Sequence, residues 1–156
     1  MNEHVPHLIV FLMAGVAVTI CVILHYETLS FLSRTVGLHV HKRIGVLVVM
    51  LGLLLAHILE IMVFAVGYGV IHHNHGLGHI VGIPGSNFFD FIYYSSVVFT
   101  TVGFGDLVPV GAIRILTAVE GLAGLALITW SASFTFLAMQ RLWPQLLAKQ
   151  DNENRH

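Results

Sequence analysis

The chain has 156 residues, of which 56% are hydrophobic and only 10% charged, with a mean hydropathy of +0.86. A soluble domain carries about 25% charged residues, so this composition excludes a water-coated globule and indicates a membrane protein. The formal net charge of −1 offers no basic face for nucleic acid, and the single cysteine, Cys21, excludes a disulfide framework within the chain.

Three stretches are long and apolar enough to cross a bilayer, which takes roughly 17 to 25 helical residues. The first is Leu8–Leu24. The segment before it contains Glu3 and neither Lys nor Arg, which reads as a retained helix and not a signal peptide. It has no charge between His7 and His25, so it is no voltage sensor, and peripheral packing or assembly is its expected role. The second stretch is Ile44–Ile71, and the third is Ile113–Ala138, continuing as helix to Gln140. Arg34, Lys42 and Arg43 lie between the first two, and Arg141, Lys149 and Arg155 follow the third. The positive-inside bias then places the 27–43 loop and the C-terminus in the cytoplasm, and the N-terminus and the 72–111 region outside.

A fourth apolar stretch, Phe88–Phe99, is too short to span and predicts a re-entrant or buried helix. Pro84-Gly85 breaks the chain ahead of it, Asn87 is placed to cap it, and Asp90 falls in its first turn. Thr100-Thr101-Val102-Gly103-Phe104-Gly105-Asp106 follows directly. Non-helical backbone at membrane depth must be buried in protein or line a watery path. Alternating glycines permit backbone angles forbidden to other residues, so successive carbonyls can face one axis. Four copies would stack rings of oxygen, with a Thr101 hydroxyl ring at the inner end, that replace the water shell of a monovalent cation. The preceding short helix would aim its negative C-terminal end at the same axis.

Thr101-Val102-Gly103-Phe104-Gly105 resembles the potassium-channel filter, and the longer run YYSSVVFTTVGFGDLVP is similar to a complete pore helix, filter and outer mouth. The resemblance covers residues 44–140. It implies an all-α integral membrane fold: three transmembrane helices, a re-entrant pore helix and an extended filter, assembled as a four-fold homotetramer. In that layout residues 1–43 are an N-terminal transmembrane helix and cytoplasmic loop, and residues 44–140 the pore domain. Within the pore domain lie an outer helix 44–71, an extracellular loop 72–86, a pore helix 87–99, a filter 100–106 and an inner helix 113–140. A cytoplasmic tail, 141–156, contains Pro144. The resemblance further implies K⁺ held by Thr101, Val102, Gly103 and Phe104, with Gly105 turning the outer end, and support from Thr100, Asp106, Tyr93, Tyr94 and Glu120. It places a hinge at Gly124 or Gly121, with tight helix packing by small residues as the alternative for either, and a pore lining of Leu125, Ile128, Ala132 and Phe136. The protein would sit in a plasma membrane of the bacterial inner-membrane type.

The sequence departs from that family at three points. Phe104 stands for the commoner tyrosine, Tyr93 and Tyr94 for tryptophans, and Val97 for a carboxyl residue behind the filter. Asp106 is therefore expected to accept from a tyrosine hydroxyl or a backbone amide.

Glu60 and His57 lie three apart in the second span and can share a face, either as a static polar pair or as a pH-responsive one. Glu120 is read as bonding to Ser95 or Ser96 behind the filter, or as an anchor for helix packing. The eleven histidines include His72, His73, His75 and His79 in the outer loop. Imidazole suits zinc or copper, but the spacing matches no defined site and the glycines leave the loop floppy, so it reads as a solvated turret. No phosphate loop, zinc-protease helix or G-x-S-x-G elbow is present, and neither enzymatic chemistry nor an organic cofactor is expected. The expected function is passive K⁺ conduction by four identical chains in a lipid bilayer. The alternatives are a weakly selective monovalent cation channel and a non-conducting metal- or pH-sensing subunit on the same scaffold.

Overall fold

The computed structural model describes residues 4–39, 42–74, 76–83 and 87–142. The expectations for Pro84-Gly85, His75 and the tail beyond Leu142 lie outside these residues. Four helices and one small antiparallel pair of strands follow in the order α1 (His4–His39), α2 (Lys42–His73), β1 (His79–Val81), α3 (Phe88–Phe99), β2 (Val108–Val110) and α4 (Ile113–Leu142). Among the described residues, α1, α2 and α4 each contain a segment long and apolar enough to cross a membrane. With the short α3 between α2 and α4, this is an all-α integral membrane fold.

The first helix runs fifteen residues past Leu24, where the sequence suggests a boundary, so most of the expected cytoplasmic loop is helical. Neither proline nor glycine interrupts it between Val16 and Val36, and its polar residues are accommodated within the helix. The hydroxyls of Thr28 and Thr35 donate to the carbonyls of Leu24 and Phe31, four residues back. His25 finds its partner on another helix.

One stripe of α1 is buried: Val10, Ala14, Ala17, Cys21, His25, Leu29, Leu32 and Val36, at spacings of three and four residues. Its small members let α1 approach α2 closely. The opposite faces carry exposed Leu8, Phe11, Leu12, Val16 and Ile23, which suit lipid. Because α1 is apolar all round, polarity does not mark its packed side. The main core joins this stripe to Phe64 and Tyr68 of α2, Phe91 and Phe99 of α3, and Ile113 and Leu116 of α4. A second cluster packs Leu29, Leu32 and Val36 on Val49 and Leu53.

Outside the spans, β1 pairs with β2 so that His79 faces Val110 and Val81 faces Val108. The segment expected to be a floppy turret is thus partly tied to the chain that follows the 100–106 strand. Each strand has three residues and the partners are far apart in sequence, so no alternation could show there. Asn87 caps α3: its side chain accepts from the amide of Phe89 at 3.3 Å, and Asp90 occupies the first turn.

Candidate functional site: a re-entrant pore segment

The end of α3 passes directly into the 100–106 segment, whose amides close the helix. Thr100 N donates to the Ser96 carbonyl at 3.1 Å and Thr101 N to the Val98 carbonyl at 2.9 Å. Val102 N and Gly103 N both donate to the Val97 carbonyl, at 3.1 and 3.3 Å. These bonds satisfy helix-end carbonyls that would otherwise be orphaned, and they turn the amides of residues 100–103 toward α3. Among the described residues, no hydrogen bond reaches the carbonyls of residues 101–105.

The backbone hand alternates along this strand. Thr101 (φ 59°), Gly103 (φ 58°) and Gly105 (φ 82°) have positive φ, and the residues between them do not. Uniformly extended residues would send successive carbonyls to opposite sides; alternating hand gathers amides on one side and leaves carbonyls on the other. Glycine takes such angles freely. Thr101 does not: a β-branched residue there is an outlier that costs about 1–3 kcal/mol, and such outliers cluster at functional sites.

Groups around the strand hold it in place. The Tyr93 hydroxyl donates to Asp106 Oδ2 at 2.8 Å. Tyr94 and Thr117 hydroxyls lie 3.0 Å apart, joining α3 to α4. Glu120, fully buried on α4, accepts from the Tyr68 hydroxyl of α2, and its Oε1 lies 2.5 Å from Ser95 Oγ on α3. Ser96 instead donates to the Ile92 carbonyl.

The two glycine candidates on α4 have different surroundings. A Cβ on Gly124 would lie 2.2 Å from the Phe99 carbonyl oxygen, so this glycine lets α4 touch the C-terminal end of α3. At Gly121 the nearest such atom is the Val98 carbonyl oxygen at 3.9 Å. Leu125, Ile128, Ala132 and Phe136 are all exposed on the single chain. The last three also border a groove against α2.

His72 and His73, expected in a loop, form the last turn of α2: His72 Nδ1 accepts from the Ile80 amide at 3.2 Å, and His73 Nδ1 donates to the Gly69 carbonyl at 2.7 Å. His79 sits in β1. Among the described residues these three do not converge on one point.

Three participants in buried hydrogen bonds escape the sequence reading: His25, Tyr68 and Ser131. His25 lies mid-helix and fully buried beside Glu60 and His57. A histidine within an otherwise apolar stretch was the available signal, but the shorter first span placed it at an edge.

A membrane-embedded helix bundle whose short, non-spanning helix delivers an irregular strand to the surface, carbonyls free, defines a pore-loop class of protein. The family model described as "Ion channel" matches residues 56–141, more than half of the chain, and the chain belongs to that family. The match begins within α2, so α1 lies outside it. Comparison with curated proteins and with solved structures finds no match.

Proposed function

We propose that this ion channel conducts potassium selectively as a homotetramer, with the carbonyls of Thr101, Val102, Gly103 and Phe104 ringing the ion. The observation that carries this reading is the 101–105 backbone. Its alternating hand, with the Val102 and Gly103 amides donating to Val97, leaves a row of carbonyls that accept no hydrogen bond among the described residues, an oxygen array of the kind that substitutes for a K⁺ hydration shell. One strand cannot surround an ion, and closed cyclic symmetry supplies the remaining three. Exposure supports the assembly: Val102 is 54% and Phe104 69% exposed on a single chain, although both are apolar and follow the apolar helix α3. Leu125, Ile128, Ala132 and Phe136 then line the lower pore, and the Lys and Arg distribution puts the N-terminus outside and the C-terminus in the cytoplasm of a plasma membrane.

Reconstitution into planar bilayers tests the reading. In opposed K⁺ and Na⁺ solutions the current is expected to reverse close to the K⁺ equilibrium potential, and native mass measurement to show four chains. Reversal near zero would establish a weakly selective cation channel. A tetramer that carries no K⁺ would remove the conducting reading.

A further inference from the structure

Away from the filter, four polar side chains from three helices form a closed ring inside the bundle. His25 Nδ1 (α1) and His57 Nδ1 (α2) each lie 2.8 Å from a different oxygen of Glu60. On their far sides, the two Nε2 atoms converge on one hydroxyl of α4: Ser131 Oγ is 3.0 Å from His57 and 3.4 Å from His25. His25 and Glu60 are fully buried, and Ser131 is 7% exposed. Thr129 and Ser133 donate to carbonyls four residues back, whereas among the described bonds Ser131 does not, so its proton is available to the ring.

Counting protons shows what the ring holds. With both imidazoles neutral and donating from Nδ1 to the carboxylate, both Nε2 atoms are acceptors, yet a serine hydroxyl has a single proton. One buried nitrogen lacks a donor, and the cluster keeps a net negative charge in the membrane interior. One more proton removes both defects. The imidazolium donates from Nδ1 to Glu60 and from Nε2 to Ser131, Ser131 donates to the other Nε2, and that ring donates to the second carboxylate oxygen. The circuit closes and the charge is zero.

We infer that His25, His57, Glu60 and Ser131 form a buried proton-binding site that fastens the N-terminal helix to α4. Loss of the proton leaves Ser131 a single proton for two Nε2 lone pairs, so one histidine loses its bond to α4 and the helix is held less firmly. On one side the ring borders a groove between α2 and α4, of about 420 Å³, which His57 and Ser131 line. Other groups facing the ring are few. Cys21 of α1 places Sγ 3.8 Å from the Glu60 backbone carbonyl, α3 presents the Phe99 ring to His57, and α4 presents the Trp130 ring to His25. Glu120 on α4, held by Tyr68, is the other buried carboxyl group of the bundle. A transition metal fits less well. Ligands about 2.0–2.1 Å from zinc would force apart the 2.8 Å nitrogen–oxygen pairs and break a ring already complete.

Glu60→Gln is the decisive variant, because an amide accepts from one Nδ1–H and donates to the other Nδ1, closing the same ring with no added proton. Only the effect on current rests on the channel reading; the proton is read separately. In ¹⁵N-histidine spectra of the full chain in nanodiscs at neutral pH, wild type is expected to show one more imidazolium per chain than E60Q. In bilayers, alkalinisation is expected to change the wild-type open probability about tenfold, within the usual range of coupling between sites; E60Q is expected to conduct without that step. Equal imidazolium counts in the two proteins, or zinc bound by wild type and lost in E60Q, would overturn the site. An imidazolium difference in a protein that passes no current would leave the proton site standing and remove the channel reading. Conduction with the same pH step in E60Q would do the reverse.

Discussion

At the scale of single residues, the contrast between Gly121 and Gly124 is the sharpest test of how the pore segment is held. Gly124→Ala would drive a methyl group to 2.2 Å from the Phe99 oxygen, a backbone atom that cannot swing aside. Overpacking of this kind costs about 1–3 kcal/mol, and here it falls where the strand begins. Gly124→Ala is expected to lower the thermal unfolding midpoint in detergent and to reduce current. Gly121→Ala meets nothing closer than 3.9 Å; it is expected to be neutral or to stabilise α4 by up to about 1 kcal/mol through helix propensity. If the two alanine variants melt alike, the close approach is not what fixes Gly124. The 100–106 segment is legible in the sequence because its signal is local: seven consecutive residues, two of them glycine, directly follow a helix too short to span. For Glu120 the sequence leaves Ser95 and Ser96 of α3 as alternatives, and the structure selects Ser95, whereas Tyr68 lies 52 residues away and gives no sign.

At the scale of elements, Glu120 joins three helices, since Tyr68 belongs to α2 and Ser95 to α3. Replacing it with alanine strands a buried tyrosine hydroxyl, at about 1–3 kcal/mol, while Ser95 keeps the Ile61 carbonyl 2.9 Å away. Glu120→Ala is expected to be clearly less stable to heat than Glu120→Gln, which retains an acceptor oxygen. Equal melting of the two would show that the carboxyl position carries no helix contact. The extent of α1 is the element least visible in the sequence. His25, Tyr26, Glu27 and Thr28 look like the polar end of a span. Their meaning changes only when Glu60, 35 residues on, is known to lie against His25. The packing or assembly role expected of α1 acquires a definite surface, because its stripe from Val10 to Cys21 is part of the main core.

For the whole molecule, the family match begins at residue 56, partway along α2, runs to residue 141 in α4, and leaves α1 as an addition packed against the matched part. That arrangement has a geometric consequence. At about 1.5 Å per residue, the 36 residues of α1, 32 of α2 and 30 of α4 extend roughly 54, 48 and 45 Å. The hydrocarbon layer is about 30 Å deep, so each rod must lean or stand proud of it, and the longest has the most to accommodate. Thinning the lipid would oblige α1 to lean further while Ser131 and the Phe99 contact hold α4. Activity is therefore expected to vary with acyl-chain length in reconstituted vesicles, and removal of α1 is expected to flatten that dependence if the assembly survives. A chain whose flux is the same in short and long lipids would have no such mechanical link. With one, the added helix is a gauge of membrane depth.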